Sequence, residues 1–138
     1  MLVFLIAALA LNTTVKAIDF GITPAQWVNT VLGNEEEFID PLGLSDLLLS
    51  LHTDLFGLIL IFILITSLLI RTSRPKNFKL AVLLLGIVTL LLYGIGLITS
   101  LWLGSISIMA SWGGFLLFHL LMSLCALDIL ILLLRKRF

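Results

Sequence analysis

The chain holds two histidines, His52 in LSLHTDLFGLILIFILITSLLIR and His119 in GGFLLFHLLMSLCALDILILLLRKR, and each sits inside a long apolar run. An uncharged imidazole in such a setting still has one donor and one acceptor to satisfy, so it faces a bundle interior, pairs, or lines a working site. Two carboxylates accompany the pair: Asp54 follows His52 closely, and Asp128 stands further along the run that holds His119. The chemistry open to this set is iron or metal ligation by the imidazoles, and proton exchange or ion pairing by the carboxylates.

These residues need elements to hold them. With 61% hydrophobic and 12% charged residues, the 138-residue chain lies outside the range of soluble globular domains and reads as an integral membrane protein. Four apolar segments, about 1–17, 46–70, 79–101 and 105–134, can be set against the roughly 20 residues a helix needs to cross hydrocarbon. The expected fold is an all-α membrane protein, one transmembrane domain over 1–138, built as a four-helix bundle with an outer loop at 18–45. In the first segment Val15-Lys16-Ala17 could serve as a signal-peptidase site, but no basic stretch precedes it, which favours a retained helix.

Within the outer loop, ITPAQWVNTVLG carries a helix signature: Thr23 as cap, Pro24 at the first position, Gln26 completing a capping box and Gly33 as terminator. Trp27, Val28, Val31 and Leu32 then share one face, giving a short amphipathic helix that either roofs a site or covers helix ends. Seven of the eight basic residues fall in two clusters, Arg71, Arg74, Lys76, Lys79 and Arg135, Lys136, Arg137, while all acidic residues except Asp128 precede or begin the second apolar run. The positive-inside rule therefore predicts both termini in the cytoplasm and residues 18–45 outside, in what is expected to be a bacterial inner membrane. Trp27, Trp102 and Trp112 fall near the outer boundary, as an aromatic belt would.

Helix–helix seams are also legible. Gly86, Thr89, Tyr93, Gly96 and Ser100 recur at spacings of three and four, so they form one stripe of small and hydroxylated residues facing protein. The second run offers Asp46, Ser50, Thr53 and Gly57, and the fourth His119, Ser123 and Ala126. The single cysteine, Cys125, excludes an intramolecular disulfide and reads as a small buried hydrophobe.

Measured back from Arg71 and Arg135, His52 and His119 rise about 28 Å and about 24 Å above the inner surface, a difference that helix tilt absorbs. Two imidazoles at one height invite a shared ligand, and a haem b held through one nitrogen of each satisfies that geometry. Gly57, Gly94, Gly96, Gly113 and Gly114 would give a flat cofactor room, and Phe56, Phe115 and Ser123 would line it. On His52, His119 and these glycines the chain resembles the small four-helix transmembrane b-type cytochromes that anchor or serve respiratory enzymes. The resemblance implies electron transfer between a quinol or inner-side donor and an outer partner. A zinc or copper site would need further ligands, for which Asp54 and Asp46 are candidates.

Asp54 reads as a solvated carboxylate near a helix start. Asp128, about 10 Å above the inner surface, must pair, protonate or line a wet cavity; Arg71, Arg74 or a partner subunit could pair it, and a quinone site could use it. Phosphate loops, HExxH, CxxC, CxxCH and nucleophile elbows are missing, and the basic clusters suit topology and anionic lipid rather than nucleic acid. A second function class is thus a cofactor-free accessory or anchor subunit of a larger membrane complex, docking through Asp128 and the outer helix. A third, proton-coupled transport through Asp54, histidine and Asp128, would require an oligomer.

Overall fold

The computed structural model describes residues 1–135. Lys136 and Arg137 of the expected cytoplasmic cluster, and Phe138, lie outside the described residues. Five α-helices follow in order: α1 (Leu2–Asp19), α2 (Pro24–Leu32), α3 (Leu44–Ile70), α4 (Lys76–Leu103) and α5 (Ser105–Leu134). All but α2 are long and apolar enough to cross a membrane. The protein is an all-α membrane bundle of four apolar helices with one short helix across an end.

α5 is the axis of the bundle, packing against α1, α2, α3 and α4. It meets α4 most extensively, in an antiparallel hairpin turned at Gly104, whose φ of 62° suits a residue without a Cβ. The sequence stripe on α4 explains the closeness. A Cβ on Gly96 would stand 2.7 Å from the Ser107 carbonyl, and one on Gly114 would stand 2.8 Å from both the Thr89 carbonyl and the Tyr93 nitrogen. Backbones therefore touch across this seam, and the Ser111 hydroxyl donates to the Tyr93 carbonyl at 2.8 Å. All five residues of the expected stripe, Gly86, Thr89, Tyr93, Gly96 and Ser100, are buried.

The seam expected on α3 is displaced by one residue. Leu47, Leu51, Asp54, Leu58, Ile61 and Ile65 are buried, whereas Asp46 and Thr53 are exposed. Large side chains line the buried face of α3, whereas between α4 and α5 the backbones approach closely. Thr53 instead satisfies its hydroxyl on the Leu49 carbonyl of its own helix, at 2.9 Å.

α2 forms as its sequence demands, with Thr23 and Gln26 in a reciprocal capping box, Pro24 at the first position and Gly33 (φ 82°) at the end. Trp27, on the apolar face of α2, is 2% exposed. Its ring packs between Phe20 and Phe115, with centroids at 5.1 and 5.6 Å, and its indole N–H donates to the Gly21 carbonyl at 2.9 Å. Trp112 donates to the Ile22 carbonyl at 3.1 Å, pinning the α1–α2 turn to α5. α2 is thus a roof over one end of the bundle. The opposite end carries the Arg71–Pro75 turn, where the ammonium of Lys79, from the first turn of α4, caps α3 by donating to the Ile70 and Thr72 carbonyls, both at 2.7 Å.

Candidate functional site

Beneath the roof, four helices bring one polar side chain or more to a common point in an otherwise apolar interior. α1 supplies Asn12 and Lys16, α3 supplies Ser50 and Asp54, α4 supplies Tyr93 and α5 supplies His119. Asp54 is the hub. Its Oδ2 pairs with the Lys16 ammonium at 2.5 Å and accepts from the Tyr93 hydroxyl at 2.5 Å, while its Oδ1 accepts from the Asn12 amide at 3.3 Å. Lys16 also donates to the Ser50 hydroxyl at 2.7 Å and lies 4.0 Å from the centre of the Phe20 ring.

Both side chains of this ion pair are withdrawn from the surface, at 3% exposure for Lys16 and 11% for Asp54. Burial of two charges is tolerable only where attraction and added hydrogen bonds offset lost hydration, and here each charge has several partners. Among the described residues no buried side-chain nitrogen or oxygen lacks a hydrogen-bond partner. Asp54 is therefore not the water-facing carboxylate that its place near a helix start suggests. α1 packs across it and excludes water.

His119 continues the network on α5. Its Nδ1 is 2.8 Å from the Phe115 carbonyl one turn earlier, and its Nε2 is 3.0 Å from the Asn12 side-chain oxygen. Phe115 stacks on the imidazole with centroids 4.1 Å apart, and Phe118 meets it edge-on at 5.9 Å. Since Trp27 in turn covers Phe115, the roof reaches the histidine through one aromatic contact.

The two histidines do not share a slot. His52 is exposed, and Phe56, one turn on, is 70% exposed. The reason is helical phase: at about 100° per residue, His52 and Asp54 point roughly 200° apart, and Asp54 is the member turned inward. Equal height placed the imidazoles at one level but said nothing about direction. On His119 both nitrogens are engaged and one ring face is covered by Phe115. As arranged here, His52 and His119 do not face one another across a common slot within the chain. Of the expected lining, Phe115 is at the cluster, Ser123 is half-buried one turn along α5, and Gly57 has open space where a Cβ would stand.

Asp128 lies at the far end of the molecule. Both its oxygens accept from Arg74, one from Nε at 2.9 Å and the other from a terminal nitrogen of the guanidinium. Pairing within the chain was one of the expected outcomes for this carboxylate. No three His, Cys, Asp or Glu side chains converge among the described residues, so Asp46 and Asp54 do not join a histidine in a metal-type cluster.

Sequence reasoning missed Asn12 and Lys16, the two residues through which α1 enters the site. They stand four apart, on one face of a helix, and that spacing within an apolar segment was the available signal. A cavity of about 60 Å³ adjoins Lys16 between α1, the α1–α2 turn and α5, lined in part by Gly21, Ile22, Trp27 and Trp112. It has room for water.

No curated protein and no solved structure matches the chain. A family model described as a transmembrane helical domain matches residues 21–138, which takes in α2 to α5 and therefore Ser50, Asp54, Tyr93 and His119. With well over half its length matched, the chain belongs to the Aq_1264_TM family of transmembrane helical domains.

Proposed function

We propose that this chain is a cofactor-free accessory subunit of a larger membrane assembly, with its basic end in the cytoplasm and its roofed end outside, docking an outer protein partner. What supports the cofactor-free reading is that the intramembrane ionisable groups His119, Asp54, Lys16 and Asp128 are spent on contacts within the chain. Asp128 is paired with Arg74, and α2 packs one face on α5.

The observation that carries the docking is Phe38. Asn34 and Ile39 close a tight turn through paired backbone hydrogen bonds of 2.8 and 2.9 Å, around a single 3-10 turn at Glu35–Glu37. At its tip Phe38 takes φ 55° and is 94% exposed. A bulky residue in the left-handed region costs on the order of 1 kcal/mol, and the turn spends it on presenting an aromatic ring to solvent. Glu35, Glu36, Glu37 and Asp40 flank Phe38 in the sequence. An apolar pocket rimmed by lysine or arginine is its complement, and anionic lipid is not.

A photo-crosslinking aromatic at position 38, in cells making the protein, should give one discrete protein adduct that is lost when Glu35, Glu36 and Glu37 are changed to glutamine. Adducts to lipid alone would sink the docking. The competing reading, an electron-transfer subunit with haem b and a quinone near Asp128, returns if purified protein shows a Soret band that disappears in both His52→Ala and His119→Ala.

A further inference from the structure

We infer that the cluster beneath α2 is a proton-binding site, in which one proton is held between His119 and Asp54 with the Asn12 amide interposed. The inference follows from counting donors. The His119 Nδ1 faces a backbone carbonyl at 2.8 Å, and a carbonyl only accepts, so Nδ1 carries hydrogen. In a neutral imidazole Nε2 is then a lone pair. Yet Nε2 faces the Asn12 oxygen at 3.0 Å, a second acceptor, because the Asn12 amide nitrogen is turned to Asp54. In this arrangement His119 bears hydrogen on both nitrogens and Asp54 is the carboxylate.

Turning the amide over does not remove the requirement. The Asn12 nitrogen would then donate to Nε2, and its oxygen would meet Asp54 Oδ1, lone pair against lone pair. Only a proton on Asp54 repairs that contact. Whichever way Asn12 points, one of its two neighbours holds a proton. The two arrangements differ by the proton's seat and the orientation of one amide, and both contain the same atoms and charge.

The other charged and titratable groups on the cluster fit this account from each helix packed there. Lys16 on α1 lies over the Phe20 ring and beside Asp54 as a cation, and Tyr93 on α4 donates its hydroxyl hydrogen to Asp54. α2 brings only the uncharged Trp27, through Phe115. The cavity beside Lys16 is lined by neither Asn12, Asp54 nor His119, so the proton site itself is closed. A proton lost from the site would leave two acceptors in contact at the point where α1 is tied to α3 and α5.

The test uses full-length protein in lipid nanodiscs at about pH 8, above the ordinary histidine range, with nitrogen NMR of the imidazoles and infrared detection of protonated carboxyl groups. The variant His52→Gln assigns the remaining imidazole signals to His119. A doubly protonated His119, or a neutral His119 together with a protonated carboxyl absent from Asp54→Asn, is expected. A neutral His119 with Asp54 ionised overturns the inference. In Asn12→Leu the constraint is gone, so His119 should become a neutral imidazole with its hydrogen on Nδ1; an unchanged spectrum would overturn the part given to Asn12. If that variant does not fold, the spectra of the unaltered protein still decide.

Discussion

Asp54 and Asp128 both lie on apolar helices and each pairs with a basic residue, but the surroundings of the pairs differ. Lys16–Asp54, under the roof, is almost wholly withdrawn from the surface and shares its charges with Asn12, Ser50 and Tyr93. Arg74–Asp128, at the basic end, keeps 42% of the arginine side chain and 22% of the carboxylate exposed. The buried pair ties α1 to α3 and the exposed one ties the α3–α4 turn to α5. The contrast shows that an ion pair's weight depends less on its geometry than on what would replace it: water waits beside Arg74, and nothing does beside Asp54.

Removing one member of the buried pair should therefore have the largest effect. Lys16→Met leaves Asp54 charged in an apolar interior and is expected to cost about 3–5 kcal/mol. The double variant Lys16→Met, Asp54→Leu should recover most of that loss, because two apolar side chains leave no orphaned charge. Unfolding midpoints in detergent of constant composition would read both, and equal losses in the single and double variants would refute the account.

Tyr93→Phe removes one hydrogen bond to a charged oxygen and keeps the ring against Phe115, 5.4 Å away. A cost of about 1.5–3 kcal/mol is expected, smaller than the loss of Lys16 because Asp54 retains the ammonium and Asn12. Adjacent glycines separate this polar contribution from packing. Gly114→Ala drives a Cβ into the Thr89 carbonyl and Tyr93 nitrogen and should cost about 1–3 kcal/mol, while Gly113→Ala meets nothing within 4 Å and should be neutral. If both alanines behaved alike, the α4–α5 seam would not be a backbone contact.

The same difference between the two ends explains what the sequence made legible. Spans, the capped α2 and the α4 stripe follow from periodicity and turn chemistry, which are local. The cluster is not local: Asp54 looks solvated until α1 is laid over it, and Lys16 looks like a surface charge until Asp54 is found beneath it. Height along a helix was readable for His52 and His119, but direction around it was not, because the α3 phase turns on which of two overlapping stripes is buried. The stripe through Leu47, Leu51 and Leu58 carries Asp54 inward, so His52 goes outward. Tyr93 was legible as a seam residue, and its role at Asp54 required the partner helix.

The smallest effect is expected at the basic end. Hydrogen bonding and charge from Asp128 together raise the Arg74 pKa above its ordinary value, with a slight opposing effect of burial. A raised value in the folded state means that the arginine's contribution is fully present below the ordinary arginine pKa and fades only as pH rises through the raised one. Alkaline titration over any usable range thus leaves the guanidinium charged, and salt and substitution are the ways to disturb the pair. Asp128→Asn should shift the unfolding midpoint far less than Tyr93→Phe does, and the shift should shrink as ionic strength is raised toward about 1 M, where the Debye length falls to about 3 Å. The Lys16→Met loss should be nearly independent of salt, since counterions do not reach a pair sealed between helices. A salt response of equal size at both ends would mean that water and ions enter beneath α2 as freely as they reach the Arg71–Pro75 turn, and the distinction between the two aspartates would be lost.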